Sequence, residues 1–99
     1  MAEPTEASMR LHAKVEGRVQ GVGFRYFVLQ SAAAHGVTGW VRNRWDGSVE
    51  VVAEGTRSRL DSLAADLGRG PRSSFVSNLD LDWSEAPQGL TRFDIRSTG

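Results

Sequence analysis

The sequence predicts an α+β sandwich, with one antiparallel sheet that carries two helices on one of its faces. Three features of the 99-residue chain support this prediction. Several short stretches alternate apolar and polar residues, as half-buried strands do. Two other stretches repeat apolar residues at three- and four-residue spacing, as amphipathic helices do. These elements follow one another in the order strand, helix, strand, strand, helix, strand.

The first half opens with a strand and a helix. Over Arg10–Glu16 every second residue is apolar, which predicts a strand with one buried face. Apolar residues at helical spacing predict a helix over Phe24–His35, ended by Gly36 in the left-handed cap position. The polar residues 1–8 are expected to form a disordered tail, and residues 9–97 a single domain.

A hairpin is predicted at the centre of the chain. Two β-rich runs, Trp40–Trp45 and Ser48–Glu54, flank Asp46-Gly47, a dipeptide that favours a tight two-residue turn. The two strands should therefore pair antiparallel.

The second half repeats the helix and strand. An apolar helical stripe includes Leu60 and Leu67, with Ser58 and Asp61 in the spacing of a capping box and Gly68 as the expected terminator. A strand follows at Phe75–Trp83, and Phe93 and Ile95 predict a short extra strand at the C-terminal end. The order βαββαβ is that of a ferredoxin-like sandwich, in which the second face of the sheet stays open to solvent.

Composition excludes several classes of function. The formal net charge is zero, so there is no excess of cations to favour nucleic acid or membrane surfaces. The absence of cysteine excludes disulfides, thiolate nucleophiles and cysteine metal sites. No apolar run is long enough to span a membrane, and the N-terminal residues lack a signal-peptide pattern. A cytoplasmic monomer is expected.

The glycine-rich turn between the first strand and helix is the candidate anion site. Its glycines allow backbone N–H groups to approach a ligand closely, and the following helix aims its unpaired first-turn N–H groups at the same place. Arg25 adds a planar cation suited to phosphate or carboxylate oxygens. The predicted phosphate-binding loop comprises Gly17, Arg18, Val19, Gln20, Gly21, Val22, Gly23, Phe24 and Arg25.

Strand alternation adds Asn43 to this site. Val41, Asn43 and Trp45 share one strand face, opposite Arg42 and Arg44. If Val41 faces the helices, Asn43 does so too, and its amide must find polar partners because an unpaired buried amide costs about 1–3 kcal/mol. The mouth of the glycine-rich loop is the nearest place that offers them.

Two long motifs resemble those of the acylphosphatase family. The first runs from Val15 to Arg25, and the second is Gly39-Trp40-Val41-Arg42-Asn43 followed by Gly47, Val49 and Gly55 at the family spacing. The resemblance covers roughly residues 10–96, including Gly70-Pro71 and the terminal Phe93-Asp94-Ile95-Arg96. Gly23 departs from the larger side chain often found at its position, which could loosen the loop or make room for a bulkier substrate.

The resemblance implies hydrolysis of acyl phosphates to carboxylate and inorganic phosphate without a metal or cofactor. It assigns phosphate binding to Arg25 and positioning of the attacking water to Asn43. An acyl phosphate suits a site without a nucleophile or base, because its carboxylate leaving group departs readily.

Other polar and aromatic residues are given structural roles. His12, Arg42, Arg44, Glu16 and Glu50 are expected on the solvated strand faces, and His35 near the negative end of its helix. The three tryptophans, Trp40, Trp45 and Trp83, are expected to pack in the core or on the sheet.

Two alternatives stay open. The ferredoxin-like plan also serves RNA-binding domains, which stack bases on aromatic residues of the open sheet face. The second alternative is a regulatory or substrate-channelling domain that binds carbamoyl phosphate without free turnover, as acylphosphatase-like domains do within larger hydrogenase-maturation proteins.

Overall fold

The computed structural model describes residues 7–85 and 87–99, so the expected tail over residues 1–8 falls largely outside the described part. The elements are β1 (Met9–Arg18), α1 (Phe24–His35), β2 (Thr38–Asn43), β3 (Val49–Gly55), α2 (Arg57–Arg69), β4 (Phe75–Ser84) and β5 (Phe93–Ile95). No helix in these ranges is long and apolar enough to cross a membrane.

The strands form one sheet in the order β4-β1-β3-β2-β5. The first four strands in this order are antiparallel, as predicted for a ferredoxin-like sandwich. The additional strand β5 joins the β2 edge in parallel orientation, with Ile95 opposite Val41. The chain between β4 and β5 therefore crosses from one edge of the sheet to the other.

The core lies between the helices and one face of the sheet. Alternate residues of β1 and β3, from Leu11 to Val15 and from Val49 to Ala53, are fully buried against both helices. The helices contribute Phe24 and Val28 from α1 and the predicted leucine stripe from α2. Burial of each valine, leucine or phenylalanine in this core contributes about 1.5–3 kcal/mol, so this face determines the register of the strands.

The central hairpin is wider than the predicted two-residue turn. The strands end at Asn43 and begin again at Val49, and the pair Arg44 and Ser48 closes a three-residue loop. Gly47 takes the left-handed conformation that such a loop needs, with φ 92°. Trp45 therefore lies in the turn and not in a strand, and 83% of it is exposed, contrary to the packing expected for it.

The ends of α2 also differ from the prediction. Thr56 is the N-cap and accepts the Arg59 N–H at 3.4 Å, whereas Ser58 and Asp61 lie inside the helix. Asp61 instead pairs with Arg57 at 3.0 Å. The helix continues through Gly68 to Arg69, and Gly70 with φ 67° forms the C-cap.

A partly buried carboxylate joins the two helices. Asp66 of α2 accepts hydrogen bonds from Ser31 at 2.5 Å and His35 at 2.9 Å, and it also pairs with Arg69. Burial alone would raise the pKa of Asp66, but these three donors lower the pKa below its usual value. His35 thus has a specific partner in addition to the helix end at which it was predicted.

Candidate active site

The glycine-rich loop begins at a β-bulge. The register between β1 and β4 shifts between Glu16 and Gly17, and Gly17 has φ 127°. A Cβ atom at Gly17 would collide with the carbonyl oxygen of Phe75, so this glycine is required for the close approach of two backbones. Its role is structural, and it directs the chain out of the sheet into the loop.

The loop presents backbone donors that have no partner. Gly21 and Gly23 take left-handed conformations, and a Cβ atom at either would meet only open space. Gly23 is the N-cap of α1, and the first helical bond is from the Phe27 N–H to the Gly23 carbonyl at 3.0 Å. Within residues 7–85 and 87–99, no backbone N–H from Gln20 to Tyr26 donates a hydrogen bond. These donors and the positive end of the helix can together bind an anion.

Arg25 and Asn43 line the same cleft, which has a volume of about 260 Å³. Neither side chain makes a hydrogen bond or an ion pair with any other described residue. No carboxylate is among the residues that line the cleft. The cleft therefore combines an unpaired guanidinium, an unpaired amide and free backbone N–H groups, which are the groups that bind phosphoryl oxygens and water.

The backbone of Asn43 is fixed on both sides although its side chain is free. Asn43 is the last residue of β2 and pairs with Val49 of β3. On the other side, its carbonyl oxygen accepts the Gly99 N–H at 3.0 Å, and the preceding inward-facing residue, Val41, accepts the Arg96 N–H at 2.8 Å. The amide is thus presented from a rigid strand, which holds a functional group more accurately than a loop does.

Gln20 connects the glycine-rich loop to this hairpin. Its side-chain amide donates to the carbonyl oxygens of Arg44 at 2.8 Å and Ser48 at 2.9 Å. These two residues close the turn immediately after Asn43. Gln20 therefore fixes the distance between the loop that carries Arg25 and the strand that carries Asn43.

The structure brings together only part of the predicted site. Asn43 and five residues of the predicted loop line the cleft, namely Val19, Gly21, Gly23, Phe24 and Arg25. Val19 and Phe24 are buried in the core, so the backbone is what they offer a ligand. Four predicted residues do not line the cleft, namely Gly17, Arg18, Gln20 and Val22.

Two lining residues were missed by sequence reasoning. Tyr26 follows Arg25 in the first turn of α1, and Ile95 lies on β5 next to Val41. The position of Tyr26 beside Arg25 was a signal that could have been used. Ile95 offered none, because the sequence does not indicate which sheet edge the last strand joins.

Two arginines and a histidine on the opposite face of the sheet share one carboxylate. Glu50 accepts hydrogen bonds from Arg42 at 2.8 Å, Arg44 at 2.9 Å and His12 at 2.6 Å, and only 12% of its side chain is exposed. Burial alone would raise the pKa of Glu50, but the three donors lower it to about 2. These residues form a charge cluster, in contrast to the separate solvated side chains that the sequence suggested.

Metal ligands are not grouped in the described ranges. No three histidine, aspartate or glutamate side chains there are arranged so that they could hold an ion.

The family was identified by comparison with known proteins. The acylphosphatase family model matches residues 11–95. The acylphosphatase of Salinibacter ruber is 46% identical over 92 residues, which cover 93% of this chain and 97% of the relative. That of Moorella thermoacetica is 48% identical over 90 residues, covering 91% and 96%. The crystal structure of the Bacillus subtilis acylphosphatase superposes with a TM-score of 0.87 at 41% identity, covering 89% of this chain and 98% of that one. The chain therefore belongs to the acylphosphatase family and is an acylphosphatase enzyme.

Proposed function

We propose that the cleft hydrolyses acyl phosphates without a metal ion, with Arg25 and the loop N–H groups binding the phosphoryl group and Asn43 positioning the attacking water. The observation that carries this proposal is the shared cleft of two unpaired polar side chains beside unpaired backbone donors. Structural polar groups in a partly buried position normally have partners, so unpaired ones indicate binding of a ligand.

Arg25 and the loop would act on the charge of the phosphoryl group. The guanidinium can donate two parallel hydrogen bonds to phosphoryl oxygens, and the N–H groups at the start of α1 can bind a third. These donors are already in place, so little reorganisation accompanies the rise of charge in the transition state.

Asn43 would orient water without removing its proton. An amide oxygen accepts a hydrogen bond from water, and the amide NH₂ can donate to substrate, but neither group is a base near neutral pH. The water oxygen attacks phosphorus, and the bond between phosphorus and the acyl oxygen breaks with its electron pair on the departing carboxylate. One proton of the water passes to a phosphoryl oxygen of the substrate, and the other stays on the oxygen that now binds phosphorus.

The small set of functional groups in the cleft also restricts the class of substrate. None of the residues that line the cleft is a carboxylate, histidine or cysteine, which are the usual acids and nucleophiles of phosphatases. A phosphate ester would need a protonated leaving group, whereas an acyl phosphate releases a stable carboxylate. We therefore favour acyl phosphates over phosphate esters.

Two substitutions separate the proposed roles, with benzoyl phosphate as substrate and inorganic phosphate as competitive inhibitor. Asn43→Ala should lower kcat about 10²- to 10³-fold and change phosphate inhibition little, because only the water loses its partner. Arg25→Ala should lower kcat similarly and also abolish phosphate inhibition. Full turnover by Asn43→Ala would contradict its role.

Matched controls and a chelator complete the experiment. Asn78→Ala removes an exposed strand asparagine that bonds Glu16, and Arg72→Ala removes an exposed arginine of a turn. Both control variants should retain wild-type kinetics. Activity should persist with EDTA, and its loss would contradict the metal-independent mechanism.

The alternative of RNA binding finds less support. On the open sheet face, Arg42 and Arg96 lie over the ring of Trp40, at 5.2 and 4.5 Å from its centroid. Arg42 is also bound to Glu50. The groups that would stack bases and bind the RNA backbone are thus engaged with one another.

A further inference from the structure

The cleft has an apolar wall that phosphate binding does not use. Tyr26 and Ile95 line it, and 60% of Tyr26 and 42% of Ile95 are exposed. Single exposed apolar side chains are common on protein surfaces, but two that line one cleft beside unpaired polar groups form a surface suited to an apolar ligand. We call these two residues the apolar wall.

Rigid elements hold the apolar wall beside the proposed catalytic groups. Tyr26 is adjacent to Arg25 in the first turn of α1. Ile95 is opposite Val41 on the neighbouring strand. Asn43 lies two residues further along β2, on the same face as Val41. From the ordinary spacing of strands and residues, the Cβ atoms of Ile95 and Asn43 lie about 8 Å apart. Hydrogen bonds from the Gly39 N–H to the Arg92 carbonyl and from the Arg96 N–H to the Val41 carbonyl hold β5 on either side of Ile95.

The cleft has a polar part, formed by Arg25, Asn43 and the loop backbone, and an apolar part, formed by the apolar wall. Arg25 is the only charged side chain among the lining residues, and it is committed to the phosphoryl group in the proposed function. A charged acyl group would therefore find no partner of opposite charge there. An apolar acyl group would instead cover Tyr26 and Ile95 and release water from both.

We propose that Tyr26 and Ile95 bind the acyl part of the substrate and select acyl phosphates with aromatic or branched aliphatic acyl groups. This inference rests on the proposed function and adds to it the class of acyl group. Arg25, the loop N–H groups and Asn43 act on the phosphoryl end common to all acyl phosphates, and the apolar wall distinguishes among them.

The test compares kcat/KM for benzoyl phosphate and acetyl phosphate. The two compounds differ in intrinsic reactivity, but that difference is the same for every variant, so the change in their ratio reports recognition of the acyl group. Tyr26→Ala and Ile95→Ala should each lower the benzoyl-to-acetyl ratio about tenfold, as loss of an apolar contact does in specificity pockets. The inhibition constant of inorganic phosphate should change far less than the KM for benzoyl phosphate.

Two controls separate the apolar wall from general effects. Leu81→Ala removes another exposed aliphatic side chain, on edge strand β4 across the sheet, and should leave both rates unchanged. Tyr26→Phe keeps the ring and should retain the wild-type ratio. A ratio that fell equally in Tyr26→Phe would assign the effect to the hydroxyl and overturn the proposal.

The possible failures are distinguishable. Hydrolysis of both compounds with an unchanged ratio in the two alanine variants would overturn the inference and leave the proposed function intact. Hydrolysis of neither compound by the wild-type enzyme would overturn both.

Discussion

Replacing Gln20 by methionine tests whether the link between the loop and the hairpin matters for catalysis. Methionine has a similar length and no hydrogen-bond donor. The substitution removes the bonds from the Gln20 amide to the carbonyl oxygens of Arg44 and Ser48, at 2.8 and 2.9 Å. It leaves Arg25 and Asn43 unchanged, so any effect on activity must come from their relative position.

The expected loss of stability can be worked out from the remaining bonds. The Arg44 carbonyl still accepts the Gly47 N–H at 3.1 Å, and the Ser48 carbonyl still accepts the Arg44 N–H at 2.8 Å. The substitution therefore removes two hydrogen bonds and leaves neither acceptor without a partner. At about 0.5–1.5 kcal/mol for each bond, the free energy of unfolding should fall by about 1–3 kcal/mol.

Activity should fall more steeply than stability suggests. A displacement of about 1 Å between reacting groups can lower a rate about 10²-fold. We expect kcat for benzoyl phosphate to fall by about one to two orders of magnitude. Inhibition by inorganic phosphate should change only a few-fold, because Arg25 and the loop N–H groups move together.

Urea unfolding and steady-state kinetics check both expectations. Gln30→Met is the matched control, since Gln30 is an exposed glutamine of α1 whose side chain makes no hydrogen bond with any described residue. If Gln20→Met lost stability but kept kcat, the link would be purely structural and the reasoning about relative position would be refuted.

Three further predictions concern the scaffold. The pKa of Glu50 is lowered from 4.5 to about 2, so its contribution to stability is complete above pH 4.5 and is lost as the pH falls through about 2. This pKa shift corresponds to at most about 3 kcal/mol of folding stability, which solvent screening reduces to about 1 kcal/mol. The difference in the free energy of unfolding between wild type and Glu50→Gln, measured in urea, should therefore shrink as the pH falls through that range. Glu54 is buried and accepts the N–H groups of Gln88 at 2.5 Å and Leu90 at 3.0 Å. Glu54→Ala should cost about 2–3 kcal/mol and accelerate hydrogen exchange at Leu90, and unchanged exchange would show that the carboxylate does not hold this loop. A Cβ atom at Gly39 would collide with the Val52 carbonyl, whereas at Gly47 it would meet open space. Gly39→Ala should therefore destabilise the protein by more than about 3 kcal/mol and Gly47→Ala by only about 1–2 kcal/mol, and equal losses on urea unfolding would contradict the steric explanation.

Local sequence signals predicted some boundaries and not others. The range Phe24–His35 was predicted without error, because Gly36 takes the left-handed cap conformation and the apolar spacing ends there. The predicted start of α2 was wrong because Thr56 and Ser58 both carry a hydroxyl group that could serve as the N-cap. The end of β3 at Gly55 decides which of them becomes the cap.

Long-range pairing limited the prediction of the site. Asn43 could be assigned to the inner face by strand alternation alone, which is a local property. The apolar wall depends on the edge that β5 joins, and the charge cluster around Glu50 depends on the register that places Arg42 opposite Glu50. Neither the sheet edge that β5 joins nor the register of β2 and β3 can be predicted from a short stretch of sequence.

The charge cluster also bears on where an anion will bind. Arg44 lies one residue beyond Asn43, and Arg42 one residue before it, so both could have attracted phosphate to the opposite face of the sheet. Glu50 binds both guanidinium groups, and its lowered pKa keeps it ionised across the neutral range. Arg25 and the helix N-terminus then supply positive potential on the side of the sheet that the amide faces. If the cleft binds phosphate as proposed, removing the charge of Glu50 would free two competing cations on the opposite face of the sheet.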